Sequence, residues 1–366
     1  MLTTTIFPGR YIQGYEAIKR LGPEIARQGK VGYLICSPTV YTKLLPNFRG
    51  EVEKHVRLIP ERFSGECSAE GIEKMRQLAA KTDGDVVIGM GGGKTLDTAK
   101  GVAFYLKKPV IIVPTIASTD APCSAIAVLH TPTGEMVGPL LLQKNPDVVL
   151  LDTRIIAEAP VRFLVAGMGD SLSHRFEAEA CKATGTPNMT NTGGLGSMTG
   201  YALARLCYDT LIKYGVMAKK ACEARVVTPA LEHIVEANTL LSGLGFENSG
   251  LASCHGIEIG FSFLKETHAK LHGEVVAFST LSSLFLTDKD KELINEAFTF
   301  CESVGLPTTL AEINLPDASD EDLMKVGDIV AGKDSFAHHE SVPITRDGVV
   351  AAIKMADYEG RLRKGK

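Results

Sequence analysis

Over roughly the first 155 residues, short β-branched apolar runs recur, each followed by a Gly, Ser or Pro turn and then by a segment with apolar residues at helical spacing. The runs are Val31–Cys36, Asp85–Met90 (DVVIGM), Pro109–Pro114 (PVIIVP) and Asp147–Leu151 (DVVLL). They are continuous rather than alternating, which suits strands of a parallel sheet covered on both faces. Glu70–Ala80 and Thr95–Leu106 read as helices between them, so the pattern predicts an open α/β domain of the nucleotide-binding kind. After Asp152 the strand signal nearly vanishes. Helical periodicity takes over in Leu164–Ala180, Ser197–Tyr214, Met217–Leu241, Gly250–Phe263, Glu274–Leu286 and Lys291–Val304, predicting an all-α second domain. The expected division is 1–155 and 156–366, with Leu306–Pro316 a connection and Arg361–Lys366 a solvated end.

Composition agrees with this organisation. A chain of 366 residues is long enough for two domains, and 45% hydrophobic with 22% charged residues is the balance of a globular enzyme. The net charge of −4 comes without any sustained basic run, so nucleic acid is not an expected partner. No apolar window reaches the ~18 residues of a membrane span, and the first residues do not read as a signal peptide, so a cytoplasmic protein is expected. Eight cysteines stand singly without a CxxC pair, which predicts reduced thiols used for packing, Cys254 among them.

Three places carry candidate chemistry. The glycine run Gly89-Met90-Gly91-Gly92-Gly93-Lys94 follows the DVVI strand and opens a helix, where backbone N–H groups and the helix N-terminus favour a dinucleotide pyrophosphate over a mere tight turn. Its spacing is neither GxGxxG nor a Walker A loop. The next strand ends in Pro114-Thr115-Ile116-Ala117-Ser118-Thr119-Asp120-Ala121-Pro122-Cys123-Ser124, which reads equally as a ligand loop at the sheet's carboxyl edge or as turns that satisfy their own backbone. In the helical half, Asp170 and His174 are four apart on one predicted helix, and His255 and His272 follow. Such N and O donors suit Zn²⁺ or Fe²⁺ if they converge. His55, His233, His268, His338 and His339 read as ordinary core or surface histidines.

Taken in order, GGGKTLDTAK (Gly91–Lys100), PTIASTDAPCS (Pro114–Ser124), AGMGDSLSHRFEA (Ala166–Ala178), VVTPALEHIVEANTLLSG (Val226–Gly243) and HGE (His272–Glu274) resemble the glycerol dehydrogenases of the iron-containing alcohol dehydrogenase superfamily. The resemblance implies a dehydroquinate synthase-like architecture, an α/β dinucleotide domain followed by a helical one, and NAD-linked oxidation of a small polyol, glycerol or a similar vicinal diol, to the hydroxyketone. It implies Asp170, His255 and His272 as ligands of one divalent metal ion, zinc before iron, and a catalytic, substrate-contacting role for Asp120. The cofactor contacts it implies are Ser37, Gly91, Gly92, Gly93, Lys94, Asp97, Thr115, Ser118, Ser124, Ile126 and His130. It also implies a homo-oligomer, an octamer in this family.

Three positions depart from the family pattern. Cys36-Ser37-Pro38 stands where an acidic residue often meets the adenosine ribose; Glu258 stands where a second histidine often follows the first helix ligand; and His174 occupies a position from which the iron-dependent relatives supply a ligand. His174 is therefore either a fourth ligand or a group that hydrogen-bonds Asp170 or substrate. The rival functions are a dehydroquinate synthase-like lyase, a glycerol-1-phosphate dehydrogenase and a non-catalytic NAD-binding protein. The first two need basic residues for a phosphate, of which the stretches around Asp170 and His255 offer only Arg175.

Overall fold

The structure, a computed structural model, describes residues 2–365. Met1 and Lys366, the outer ends of the two expected domains, lie outside the described residues. The chain forms two compact units: one holds residues 6–160 and 221–243, the other residues 2–5, 161–220 and 244–365. The first break thus falls at Pro160/Val161, and the segment Ala221–Gly243, expected among the helices of the second domain, packs with the sheet.

The sheet unit is built on eight strands, β1 (Tyr11–Gly14), β2 (Val31–Cys36), β3 (Arg57–Arg62), β4 (Val86–Gly91), β5 (Val110–Pro114), β6 (Ile126–His130), β7 (Met136–Leu141) and β8 (Val148–Asp152). Six of them form a parallel sheet in the order β1-β8-β5-β4-β2-β3, while β6 and β7 pair as an antiparallel hairpin. The four apolar runs are the four central strands, buried as a parallel sheet requires. The two edges, β1 and β3, have only one partner each and read poorly in sequence: YIQG is half-buried throughout, and RLIPER carries Pro60 and exposed charges, which only an edge tolerates.

One face of the sheet, through Leu34, Ile88, Met90, Ile111, Val113 and Leu150, packs on Leu21, Ile25 and Phe48. On the other face lie α1 (Ala69–Ala80), whose N-cap Ser68 accepts from Gly71 N at 3.0 Å, and α2 (Gly93–Leu106). A Cβ at Gly89 would sit 2.6 Å from Ala99 Cβ, so a bare glycine lets α2 lie close against β4. From β2 the chain steps outward to β3, returns across β2 to β4 and continues the other way to β5 and β8. The order reverses between β2 and β4, and it is at such a reversal that open α/β sheets leave a crevice for ligands.

The other unit is helical, as the periodicity predicts, with three corrections to its elements. The expected helix Leu164–Ala180 is two, α3 (Val161–Ser171) and α4 (His174–Thr184), broken where Ser173 turns back so that its Oγ donates to Asp170 O at 2.8 Å. The break does not part Asp170 from His174, whose donor atoms lie within 4.8 Å of each other. No break occurs at 215–216 either; Met198–Glu223 is continuous, and the next helix begins at Pro229, capped by Thr228. Finally, helices Asp320–Val330 and Arg346–Arg363 follow the connection, and Arg363, expected as a solvated end, bonds Glu302 and stacks over Phe298. All eight cysteines are buried thiols, with burial pushing the Cys36 and Cys67 thiols up to about 12. No helix of the described residues is long and apolar enough to cross a membrane.

Candidate functional site

At the reversal point the carboxyl ends of three adjacent strands meet: Ser37 N donates to Met90 O (3.1 Å) and Thr115 N to Gly91 O (3.0 Å). Ser37, Gly91, Gly92, Gly93 and Thr115 thus share one edge of the sheet. α2 begins at the same edge with Gly92 as an extended N-cap and no side chain capping its first turn; Thr95 N and Leu96 N bond Gly92 O, which leaves the Gly93 and Lys94 amides to a ligand beside the helix's positive end. Lys94 is exposed and ion-paired with Glu66. The loop after β5 carries Ser118 and Asp120, and Ser242 Oγ donates to Asp120 Oδ2 at 3.3 Å. The remaining candidates are turned toward the fold itself. Asp97 is buried and accepts from Val128 N at 3.0 Å, Ser124 and Ile126 are buried, and His130 closes β6 with its N–H on Cys67 O at 2.8 Å.

In the helical unit, α3, α5 (Ser253–Ser262) and α6 (His272–Leu286) bring Asp170, His255 and His272 together, with their donor atoms within 4.8 Å of one another. Close packing makes this possible: a Cβ on Gly273 would lie 1.8 Å from Ala166 O, so only glycine lets α6 start against the backbone of α3. Arg162, at the start of α3, grips Glu274 on α6 with two bonds of 2.7 Å. His255 is fixed from another side. The first turn of α5 lacks a side-chain cap of its own; Glu177 of α4 instead accepts from Ala252 N (2.8 Å) and His255 N (2.9 Å), and Glu340 accepts from Ser253 N (3.3 Å).

The imidazoles are held in a defined sense. His255 Nδ1 lies 2.7 Å from Glu177 Oε2, and His272 Nδ1 lies 3.2 Å from Glu258 Oε1. A carboxylate only accepts, so each Nδ1 carries the proton and each Nε2 turns toward Asp170 Oδ1, at 3.5 Å and 3.4 Å. Both Asp170 oxygens are buried and take no hydrogen bond. A buried carboxylate without a donor is costly. Its neighbours supply positive charge instead: burial alone would raise the Asp170 pKa, but His272, His255 and His174 outweigh it and hold the carboxyl well below its ordinary range. In the same way burial opposes protonation of His255, yet Glu177 and Asp170 carry it to about 10. Desolvation opposes protonation of His272 as well, and Glu258 and Asp170 raise it although 41% of its side chain is exposed. An anion-rich cluster of this kind calls for cations, and on giving up the Nε2 protons it would offer three ligand atoms to a divalent metal.

His174 adjoins that trio, with a donor atom within 4.8 Å of one of Asp170 and of one of His255. Its ring stacks on His255 with centroids 5.3 Å apart, and its Nδ1 lies 3.3 Å from Ser173 Oγ and 3.6 Å from Glu177 Oε2, so it converges with Glu177 and His255.

A model of the iron-containing alcohol dehydrogenase family matches residues 8–153. The chain is also 58% identical, over 100% of its own length and 99% of the relative's, to a glycerol dehydrogenase of Thermotoga maritima. The chain belongs to the glycerol dehydrogenases of the iron-containing alcohol dehydrogenase family. It is accordingly an oxidoreductase, and its similarity to relatives is spread over the full length. A glycerol dehydrogenase of Citrobacter freundii is 44% identical over 99% of both chains. The crystal structure of a probable glycerol dehydrogenase from Sinorhizobium meliloti superposes with a TM-score of 0.92 at 41% identity, covering 99% of this chain and 100% of that one.

Two residues beside the donors escaped the sequence reading in their roles. Glu177 shows only as a carboxylate three residues after His174 in an otherwise apolar helix face, and Glu258 only as a departure from the family pattern. Both prove to be the partners that orient the ring nitrogens.

Proposed function

We propose that the chain oxidises glycerol or a closely similar vicinal diol to the hydroxyketone with NAD⁺ as acceptor, using one divalent metal ion held by Asp170, His255 and His272. The observation that carries the reading is the convergence of two Nε2 atoms, each on a ring oriented by a carboxylate, on the buried carboxylate of Asp170. When bound, the metal supplies Lewis acidity that acidifies a substrate hydroxyl, and NAD⁺ accepts the hydride. The chain's own residues do the rest. Glu177 and Glu258 keep the protons on Nδ1 of His255 and His272, and the exposed side of His272 is the open approach to the cluster. Asp120 accepts from the substrate's hydroxyls, while the open amides of α2 with Gly91, Gly92, Gly93, Lys94, Thr115 and Ser118 hold the dinucleotide, and Ser37 meets its ribose.

With Asp170, His255 and His272 as ligands, a zinc ion would keep a position open for substrate, and this reading puts zinc before iron; His174, with a donor atom within 4.8 Å of Asp170, is the candidate fourth donor that would favour iron. A phosphorylated or dehydroquinate-type substrate is disfavoured, because Arg162 and Arg175, the arginines flanking Asp170 in sequence, are paired with Glu274 and Glu179. The octamer is carried over from the family as part of this proposal.

A panel of glycerol, 1,2-propanediol and glycerol 1-phosphate, assayed with NAD⁺ and NADP⁺ after stripping and reloading with Zn²⁺ or Fe²⁺, tests the reading. It expects the free diols with NAD⁺ and zinc to give the highest kcat/KM, and Asp120→Ala to raise KM for the diol. Preference for the phosphate ester, or full activity of the stripped protein, contradicts it.

A further inference from the structure

The segment from Ala117 to Ile126 includes a long stretch without regular structure, yet three buried side chains hold five of its carbonyls. Lys100 on α2, only 1% exposed, donates to Ala121 O at 2.8 Å and to Ile126 O, and stands 3.4 Å from Ser124 O. Asn145 donates to Cys123 O at 2.9 Å, and Asn238 to Ala117 O at 3.0 Å. Asn238 belongs to the π-helical turn Ala237–Leu241, a local widening that recurs at functional sites, and Ser242 just beyond it reaches Asp120.

A fully buried ammonium is expensive unless charge and hydrogen bonds compensate it. Here its three protons face three carbonyls, and Asp97 Oδ1, one turn earlier on α2, lies 2.8 Å away as an ion contact. The other oxygen of Asp97 accepts from Val128 N in β6. A methionine of similar length would fill the space without the desolvation cost, but it would leave Ala121 and Ile126 carbonyls buried and unpaired. The arrangement therefore trades an easier core for a loop of fixed shape.

We propose that Lys100 is a positioning residue for ligand binding: its ammonium, neutralised by Asp97, sets the conformation of the Thr115–Ile126 loop that grips cofactor and diol. Asp97 on this account acts through Lys100 rather than by touching the cofactor. What the loop grips rests on the function proposed above; the clamp itself does not.

The test compares metal-loaded wild type with Lys100→Met, which keeps the stem and loses the charge, and with Asp97→Asn, which keeps the shape and leaves Lys100 unneutralised. Hydrogen exchange should quicken in the amides of residues 117–126 of both variants while β4 stays protected. The Kd for NADH and the KM for the diol should rise by about tenfold or more, with zinc content unchanged, because displacing a binding loop by a fraction of an ångström has effects of that order. Unchanged loop exchange and NADH affinity in folded Lys100→Met overturn the proposal, and if that variant does not fold, the same result in Asp97→Asn does so. Wild type that binds no NADH would sink the functional reading, while loop exchange in the variants still decides for or against the clamp.

Discussion

The two units secure their chemistry by opposite polarity. In the sheet unit, side-chain donors reach backbone acceptors: Lys100, Asn145 and Asn238 hold five carbonyls of one loop. In the helical unit, side-chain acceptors reach donors: Glu177 and Glu258 take the Nδ1 protons of two imidazoles, and Glu177 and Glu340 also take the free amides at the start of α5. The difference follows from what each must present. A loop that offers hydroxyls and N–H groups to an anionic cofactor is best fixed through its carbonyls, whereas a cluster that must bind a cation is best surrounded by carboxylates that enrich its negative charge.

The harshest break of the helical arrangement is Gly273→Ala. The added methyl would meet Ala166 O at 1.8 Å and force α6 off α3, so the cost should reach about 3 kcal/mol with metal binding lost. Gly50→Ala, in a helix where nothing lies within 4 Å, serves as the control and should be neutral or stabilising by up to about 1 kcal/mol. Thermal unfolding of both, with zinc analysis, checks the pair; equal melting temperatures would refute the close-approach argument.

The next break tests the acceptors themselves. Glu177→Gln should weaken zinc binding by about 10- to 100-fold, since an amide can present its N–H₂ to the ring nitrogen and no longer enforces the tautomer. Glu258→Gln should cost less, because its bond to His272 is longer and His272 is partly exposed. Competition titration with a chelating dye ranks the two, and an equal or reversed order would count against Glu177 being the stronger orienting partner.

A gentler probe is pH. The His255 pKa is about 10 in the metal-free fold and about 6.5 when unfolded. Its protonation therefore stabilises the metal-free protein fully below about 6.5, and that contribution is lost as pH rises through about 10. Metal displaces the same proton, so zinc affinity should rise across this window while the melting temperature of the stripped protein falls. Melting curves of stripped and loaded protein from pH 6 to 10 should diverge; parallel curves would contradict the protonation scheme. The smallest effect is expected from Ser37→Asp, which should shift the kcat/KM ratio of NAD⁺ over NADP⁺ upward by about tenfold at most, about 1.4 kcal/mol.

Much of this was legible in sequence where one residue type carries the signal by itself. The continuous apolar runs marked the four central strands, and the glycine run marked the turn into α2. The edge strands were not legible, because strands with one partner need neither full burial nor β-branched residues. Asp170, His255 and His272 stood out as candidate donors by residue type, but only the family motifs tied them into one ligand set, since convergence from three helices leaves no local spacing. The four-residue interval from Asp170 to His174 did carry information: although Ser173 interrupts the helix, a donor atom of each still lies within 4.8 Å of the other. Lys100 and Asn238 were invisible as clamps, because their partners are backbone atoms, which have no sequence signature.

The central claim, that Asp170, His255 and His272 together hold one divalent ion, is tested most directly by calorimetric titration of stripped wild type and Asp170→Asn with Zn²⁺. The substitution preserves size and removes the one carboxylate on which both Nε2 atoms converge. The account predicts one tight equivalent in the wild type, with protons released, and loss of that binding in Asp170→Asn. One equivalent bound with unchanged affinity in Asp170→Asn would contradict it.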